Sequence, residues 1–190
     1  MHEIESHPFT PFLPVNARIL VLGSFPPKKE RWSMDFYYPN FNNDMWRIFG
    51  LVFFRDKDYF ISPDRKRFDK DSIMSFCSEA GIALYDAAYR VIRMKDNASD
   101  KFLEVIEPSP IPDILSTLPR CNAIAATGQK AAETVSAIYG CTVPAVGDST
   151  AISFGDRQFM LHRLPSSSRA YPMKLEEKAV VYSKFLEEIL

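Results

Sequence analysis

The sequence predicts an α/β protein, specifically a three-layer α/β/α sandwich with a mostly parallel sheet of about four strands. Short, continuously apolar segments alternate with amphipathic segments along the chain, and the apolar segments end at a glycine or an aspartate. Continuous apolarity is typical of parallel strands that helices cover on both faces. Because the two kinds of segment alternate throughout, we expect helices on both sides of one sheet.

The chain length fits one domain. With 190 residues, of which 46% are hydrophobic, the chain is long enough to bury a sizeable core. We find no internal repeat and no linker, so residues 1–190 are expected to form a single domain. Residues 1–16 contain prolines and histidines but no hydrophobic periodicity, and they are expected to wrap the surface as an N-terminal arm.

The strands are predicted from runs of apolar residues that end at turn residues. Three buried strands are expected at 17–23, 82–86 and 122–128. Residues 150–154 and 157–164 flank Gly155-Asp156 and predict a hairpin whose second arm joins the sheet. The polar segment 90–101 is expected to be an irregular loop.

The helices are predicted from periodicity and from their end signals. Asn42 or Asn43 is expected to cap a helix that points Trp46, Phe49 and Phe53 inward. The charged run 64–70 interleaves both signs, which favours an exposed helix over a nucleic-acid patch. Further helices are expected at 72–79, 108–118, 129–139 and 174–190, the last with Leu175, Ala179, Tyr182, Phe185 and Leu186 inward.

Charge, cysteines and histidines exclude several classes of site. The net charge of −1 gives no global positive field, so any nucleic-acid binding must come from local patches. The three cysteines are widely spaced and odd in number, so neither a disulfide framework nor an iron–sulfur cluster is expected. Only three histidines accompany them, which argues against a conventional zinc site. We therefore expect no metal and no cofactor.

The chain has neither a secretory start nor a membrane-spanning run. Its N-terminus lacks the basic and apolar regions of a signal peptide, and no apolar segment is long enough to span a bilayer. The expectation is a soluble cytoplasmic protein with reduced thiols.

Three loops are candidate ligand sites. The first turn (residues 23–27, Gly-Ser-Phe-Pro-Pro) follows the first predicted strand, where α/β sheets bind ligands. The amide loop (residues 37–43) combines side-chain amides with aromatic rings, which suits a flat, hydrogen-bonding ligand such as a nucleobase. The late loop (residues 164–170) reads Leu-Pro-Ser-Ser-Ser-Arg-Ala after the last predicted strand. The basic residues at 28–31 are read as solvated loop that can also contact a phosphodiester backbone.

Together these segments resemble the uracil-DNA glycosylase superfamily, and the nearest branch looks like the hypoxanthine-DNA glycosylases. The likeness rests on the three loops, on Gly-Ile-Ala-Leu-Tyr-Asp at 81–86 and on Thr-Gly-Gln-Lys-Ala-Ala at 127–132, all in the right order. It covers residues 17–190. It implies a monomeric, monofunctional DNA glycosylase of base-excision DNA repair. Such a hydrolase releases uracil or hypoxanthine from DNA that contains the deaminated base and leaves an abasic site.

The resemblance also implies roles for individual residues. An asparagine of the amide loop is expected to handle the attacking water, and the spacing from Tyr37-Tyr38 to Trp46 selects Asn43 as this catalytic residue. The expected base pocket consists of Gly23, Ser24, Phe25, Tyr38, Phe41 and Thr127. The expected DNA-binding residues are Pro165, Ser166, Ser167, Ser168 and Arg169.

Several positions depart from the pattern of the superfamily. Thr127 stands where many relatives place an asparagine that reads the base edge, and the first turn has no acidic or amide residue. Arg169 and Tyr171 stand where the branch more usually has proline and asparagine. His162 is read as a structural histidine. Asp86 is read either as part of the pocket rim or as a cap on a neighbouring loop.

Two other functions remain open at this point. The missing acidic residue in the first turn and the threonine at 127 favour a non-catalytic nucleic-acid-binding relative of the same fold. A small-molecule nucleoside enzyme on the same sandwich is the third reading. It predicts turnover of free nucleosides without salt-dependent DNA affinity.

Overall fold

The computed structural model describes residues 3–94 and 102–190 and confirms the predicted fold class. Its main sheet has five strands in the order β3-β2-β6-β8-β7. The first four of these are parallel to their neighbours, and β7 is antiparallel to β8. The strands of this sheet are β2 (Ile19–Gly23), β3 (Ile82–Asp86), β6 (Ala123–Thr127), β7 (Ser149–Phe154) and β8 (Arg157–Leu164).

The centre of the sheet is buried on both faces. Every residue of β2, β3 and β6 is buried, as their continuous apolarity predicted. The register pairs Gly23 with Asp86 and Thr127 with Leu164, so the ends of neighbouring strands lie side by side. This alignment places the loops that follow β2, β3, β6 and β8 at one edge of the sheet.

The hairpin contributes one strand more than predicted. Both of its arms join the sheet, because β7 pairs with β8 along its whole length. The turn between them contains Gly155 with a φ of 57°, a left-handed conformation that glycine adopts without a side-chain clash.

A second, antiparallel sheet corrects the expectation that residues 90–101 form an irregular loop. Its strands are β1 (Ile4–Ser6), β4 (Ala88–Arg93) and β5 (Leu103–Pro108), in the order β1-β4-β5. Strand β4 buries Ala88 and Val91, while Arg93 pairs with Glu5 at 3.0 Å. Polar residues on one face of this strand made it look like a loop. The remainder of the predicted loop, residues 95–101, lies outside the described residues.

The helices surround the main sheet. They are α1 (Met45–Phe54), α2 (Lys70–Ala80), α3 (Ile111–Ser116), α4 (Gln129–Tyr139) and α5 (Leu175–Ile189). The predicted helix over 64–70 is wrong. That segment is irregular and forms an antiparallel bridge between Ile61 and Phe68, and α2 begins only after Asp69, whose carboxylate accepts the Ser72 N–H. Side-chain hydrogen bonds of this kind compete with helix formation.

The N-terminal arm is integrated into the fold. Residues 4–6 form β1, and Phe12 and Leu84 exchange two backbone hydrogen bonds as an antiparallel bridge. The His7 side chain is fully buried. Through these contacts the arm crosses β3 and reaches the carboxyl edge of the main sheet.

The pH dependence of stability tests the structural reading of His162. This side chain packs on Phe185 with ring centroids 4.4 Å apart, and burial lowers its pKa. The unfolded state therefore binds a proton at a higher pH than the folded state does, and stability should fall as the pH drops below about 6.5. We expect His162→Gln to flatten this decline in urea unfolding between pH 7 and pH 5. Identical pH slopes for the two proteins would contradict this reading.

Candidate active site

A cleft of about 950 Å³ opens at the carboxyl edge of the main sheet. All three loops that the sequence singled out line this cleft: the first turn, the amide loop and the late loop. The carboxyl edge of a parallel sheet is where α/β proteins bind their ligands. The cleft is therefore the candidate active site, and the alignment of the strand ends creates it.

The floor of the cleft is polar. Gly23, Ser24, Asp86 and Thr127 line it, and each lies at or just after the end of a central strand. The Thr127 hydroxyl donates to the Leu22 carbonyl at 3.2 Å, so its bond with the Tyr38 hydroxyl, at 2.8 Å, has Tyr38 as the donor. Thr127 is thereby engaged within the protein and has no proton left to offer a ligand.

Tyr38 is held in an uncommon backbone conformation. Its φ of 52° places a bulky residue in the left-handed region, which costs free energy. The hydrogen bond to Thr127 and an edge-on contact with Trp46, with centroids 6.1 Å apart, maintain this conformation. Strain of this kind is typical of functional sites, and here it presents the Tyr38 side chain to the cleft.

Asn43 lies on the cleft wall at the start of α1. Its Oδ1 accepts the Met45 N–H at 2.9 Å, which satisfies one of the free N–H groups of that helix. The N-cap position itself is occupied by Asp44, which makes no side-chain cap bond, so the helix begins one residue later than a cap at Asn43 predicted, although Asn43 still serves an N–H group of its first residue. A carbonyl oxygen has two lone pairs, and the second one leaves Asn43 able to accept a hydrogen bond from a ligand.

The backbone around Asn43 is fixed by Arg47. This buried side chain donates from its guanidinium to the Phe41 carbonyl at 2.7 Å and to the Asn43 carbonyl at 3.0 Å. Burial lowers the pKa of Arg47, with the charge of Arg169 acting in the same direction. The Arg47 side chain therefore holds the amide loop against the N-terminal end of α1.

The late loop is anchored by a fully buried lysine. Lys178 of α5 has no exposed side-chain surface, and its Nζ lies 3.0 Å from Asp44 Oδ2 and donates to the Ser168 carbonyl at 2.8 Å. The Asp44 N–H donates to the Ser167 carbonyl at 2.8 Å. We call these contacts of Lys178, Asp44, Ser167 and Ser168 the buried tie. The buried tie fixes the late loop against Asp44, the residue that follows Asn43.

A second contact from α5 reinforces the late loop. The Tyr182 hydroxyl donates to the Pro165 carbonyl at 2.9 Å inside the protein. Burial raises the pKa of Tyr182, so this phenol remains a hydrogen-bond donor. The positions of Pro165 and Ser168 are thus both set by side chains of one helix.

Positive charge collects around the cleft although the whole chain carries a net charge of −1. Five basic residues line the cleft, against the two acidic residues Asp86 and Glu133. The basic residues are Arg31, Arg93, Lys130, Arg163 and Arg169. The Arg169 side chain is exposed and makes only long contacts, 3.5 Å to Asp44 Oδ1 and 3.4 Å to Asn42 Oδ1. The lining of the cleft is therefore more basic than the chain as a whole.

The structure brings together all the predicted site residues except Phe41. Asn43, Gly23, Ser24, Phe25, Tyr38, Thr127, Pro165, Ser166, Ser167, Ser168 and Arg169 all line the cleft. Phe41 is not among the lining residues. Its ring packs on Phe68 with centroids 5.1 Å apart, and the Arg47 guanidinium lies 4.7 Å from its centroid. Phe25 and Tyr38 are the predicted aromatic residues that line the cleft, and Tyr171 lines it as well.

Three residues that support the cleft without lining it could not be found from the sequence: Asp44 and Lys178 of the buried tie, and His7, whose Nε2 lies 2.8 Å from Asp86 Oδ2. His7 belongs to an arm without periodicity, Asp44 stands next to three asparagines of similar appearance, and Lys178 is a lysine on an amphipathic helix. Lysines of this kind are mostly exposed. The only signal was positional, since the predicted inward face of α5 includes Ala179, next to Lys178, and Tyr182, one turn further on.

Among the residues that the structure describes, no three or more histidine, cysteine, aspartate or glutamate side chains come together as a metal site. In the same ranges, 3–94 and 102–190, no helix is both long enough and apolar enough to cross a membrane.

No protein-family model matches the chain, and no curated protein matches it either. Among solved structures, the chain is similar to the NMR structure of a protein from Methanosarcina acetivorans whose provisional name is uracil DNA glycosylase. The two chains are 22% identical, the match covers 97% of this chain and 99% of the other, and the TM-score is 0.60. The chain therefore shares the fold of that protein over nearly its whole length.

The buried tie makes a testable contribution to stability. Lys178→Met leaves the buried Asp44 carboxylate without its ammonium partner, and we expect a loss of about 3–5 kcal/mol in the free energy of unfolding. The double variant Lys178→Met/Asp44→Asn removes both charges and should lose clearly less. Urea denaturation of the three proteins measures both effects. A loss of about 1 kcal/mol or less for the single variant, the value of a surface ion pair, would contradict the assignment.

Proposed function

We propose that this protein is a monofunctional DNA glycosylase that hydrolyses the N-glycosidic bond of a flipped deaminated base, uracil or hypoxanthine. The product is an abasic site in the DNA. One observation carries the proposal: the late loop lies more than a hundred residues after the first turn and the amide loop in the sequence, yet all three line the same cleft. We also propose that it belongs to the uracil-DNA glycosylase superfamily and takes part in cytoplasmic base-excision DNA repair as a monomer.

The cleft offers a group for each demand of the reaction. Cleavage passes through an oxocarbenium-like sugar and an anionic base, so an enzyme must orient a water molecule and stabilise charge on the departing base. In our proposal Asn43 Oδ1 orients the water. The backbone N–H groups of Ser24 and Phe25 stabilise the developing negative charge, and Phe25 or Tyr38 stacks on the face of the base.

The entrance of the cleft suits a DNA strand. A base inside a duplex is out of reach, so it must be extruded into the cleft while the protein holds the backbone on either side. Hydroxyl groups of Ser166 and Ser168 and the exposed guanidinium of Arg169 are suitable partners for phosphate oxygens. The buried tie holds the backbone of these residues in place, which favours a preformed rather than an induced site.

The protein from Methanosarcina acetivorans supports the proposed glycosylase activity through its fold and its provisional name. Hypoxanthine as a substrate rests on the sequence resemblance alone. Because Thr127 is hydrogen-bonded to Leu22 and Tyr38, we propose that the base edge is read by other groups of the floor.

A non-catalytic nucleic-acid-binding protein is the second candidate. The absence of an acidic residue from the first turn favours it, since that residue handles the water in several branches of the superfamily. This candidate predicts salt-dependent DNA binding and no release of base.

The proposed activity is tested with oligonucleotides that carry one uracil or one hypoxanthine, in single-stranded and duplex form. We expect alkaline treatment of the product to cut the strand at the modified position, because an abasic site is alkali-labile. Asn43→Ala should bind the same DNA but lose about 10²- to 10³-fold in rate, since it removes a positioned polar group. Asn122→Ala is the matched control, because this exposed asparagine precedes β6 at the opposite edge of the sheet.

Two outcomes would contradict the proposal at different levels. If no deaminated base is released at stoichiometric enzyme, the glycosylase assignment fails, and DNA binding alone would select the second candidate. If Asn43→Ala turns over like the wild-type protein, the assignment of Asn43 fails while the activity stands.

A further inference from the structure

A buried pair of ionisable side chains lies at the floor of the cleft and has no part in the mechanism above. Asp86 is the last residue of β3 and lines the cleft. Its Oδ2 lies 2.8 Å from His7 Nε2, and the two side chains are 8% and 0% exposed. A carboxylate at a ligand cleft, paired with a fully buried imidazole, is a candidate functional group.

His7 is held in one orientation. Its Nδ1 lies 3.2 Å from the Phe9 backbone N–H, which it can accept, and 3.0 Å from the Phe9 carbonyl, to which it can donate. The rings of Phe25 and Tyr85 enclose the imidazole, with centroids 5.4 and 4.6 Å away. The neutral imidazole can accept the Phe9 N–H at Nδ1, and the protonated imidazole can donate to the Phe9 carbonyl there. In both forms Nε2 donates to Asp86.

The second carboxylate oxygen reaches the first turn. A Cβ atom at Gly23 would collide with Asp86 Oδ1 and would lie 3.3 Å from the Tyr38 hydroxyl. Gly23 therefore leaves space that the carboxylate fills. The Ala87 N–H donates to the Gly23 carbonyl at 2.8 Å, and the Ala88 N–H donates to the Ser24 carbonyl at 3.1 Å. These bonds fix the end of β3 against a turn that has no acidic residue of its own.

We propose that Asp86 is a second catalytic residue of this cleft and that His7 is its positioning residue. This inference rests on the glycosylase activity proposed above. The water oxygen bonds to C1′ while the C1′–N bond breaks and its electron pair leaves with the base. Asp86 Oδ1 accepts the proton of the water and later releases it to solvent, and the departing base takes a proton from solvent. Asn43 orients the water, and the carboxylate supplies the basicity that an amide lacks.

The negative charge of Asp86 indicates which part of the substrate this carboxylate faces. The departing base becomes negative, and a fixed carboxylate beside it would oppose cleavage. The sugar becomes positive, and the same carboxylate beside C1′ stabilises that charge. Asp86 therefore serves the sugar and the attacking water.

Single-turnover and steady-state kinetics of Asp86→Asn on the oligonucleotide of the preferred base test the proposal. The change is isosteric and keeps an acceptor for His7, and melting temperatures show whether the variant folds. We expect kcat to fall by about 10²- to 10⁴-fold with KM within a few-fold of the wild-type value. Asp156→Asn, in the exposed turn between β7 and β8, is the control for loss of a carboxylate.

The pH profile of kcat separates catalysis from a structural role. The groups that face Asp86 are the His7 imidazole from the arm, the Tyr38 hydroxyl from the amide loop, and the neighbouring phenols of Tyr37 and Tyr85. Burial, and then the charge of Asp86, raise the pKa of Tyr37, and the same causes raise that of Tyr85 to about 12. Arg93 and Glu133 are further charged residues that line the cleft. We expect kcat of the wild-type protein to fall as the pH is lowered. We expect kcat of Asp86→Asn to show no such fall.

His7 variants complete the test. His7→Gln keeps a donor for Asp86 and should retain more of kcat than His7→Phe, which has none. Wild-type kcat in Asp86→Asn would overturn the inference and leave the glycosylase assignment intact. A changed base preference at unchanged kcat would overturn it as well, because Asp86 would then read the base. Absence of base release by the wild-type protein would refute the proposed function itself.

Discussion

The buried ammonium of Lys178 is the constraint on which the geometry of the cleft depends. A lysine without exposed surface is costly unless its charge is paired and its hydrogen-bond donors are used. Asp44 and the Ser168 carbonyl meet both needs at 3.0 and 2.8 Å. Asp44 and Ser168 are more than a hundred residues apart in the sequence. Asp44 follows Asn43 and Ser168 precedes Arg169, and both of these neighbours line the cleft. The energetic demand of one buried charge thus fixes the distance between the amide loop and the late loop.

The floor of the cleft obeys a second constraint, which is the close approach of neighbouring strand ends. Parallel pairing sets Gly23 beside Asp86, and the absence of a side chain at Gly23 gives the Asp86 carboxylate its place. The first turn therefore has an acidic group in space although it has none in sequence. In the proposed mechanism this carboxylate supplies the acidic group that the sequence of the first turn lacks. The N-terminal arm brings His7 to Asp86 from outside the main sheet.

Much of the fold and most of the cleft could be predicted from the sequence, because local patterns determine them. The central strands are continuously apolar, and the amide loop, the first turn and the late loop carry turn residues at strand or helix ends. Strand β4 escaped prediction because its pairing with β1 and β5, rather than its composition, makes it a strand. Lys178 and His7 escaped because their burial depends on partners that lie far away in the chain. Phe41 has the same residue type as Phe25, yet the Arg47 and Phe68 side chains draw it away from the cleft.

We propose that this cleft hydrolyses an N-glycosidic bond in DNA. The decisive measurement is a single-turnover reaction with a strand that carries one uracil or one hypoxanthine, with mass spectrometry of both products. At one equivalent of enzyme we expect the free base and a strand with intact phosphodiester bonds in which a hydroxyl group at C1′ replaces the base. Recovery of intact DNA that remains bound to the protein would contradict it.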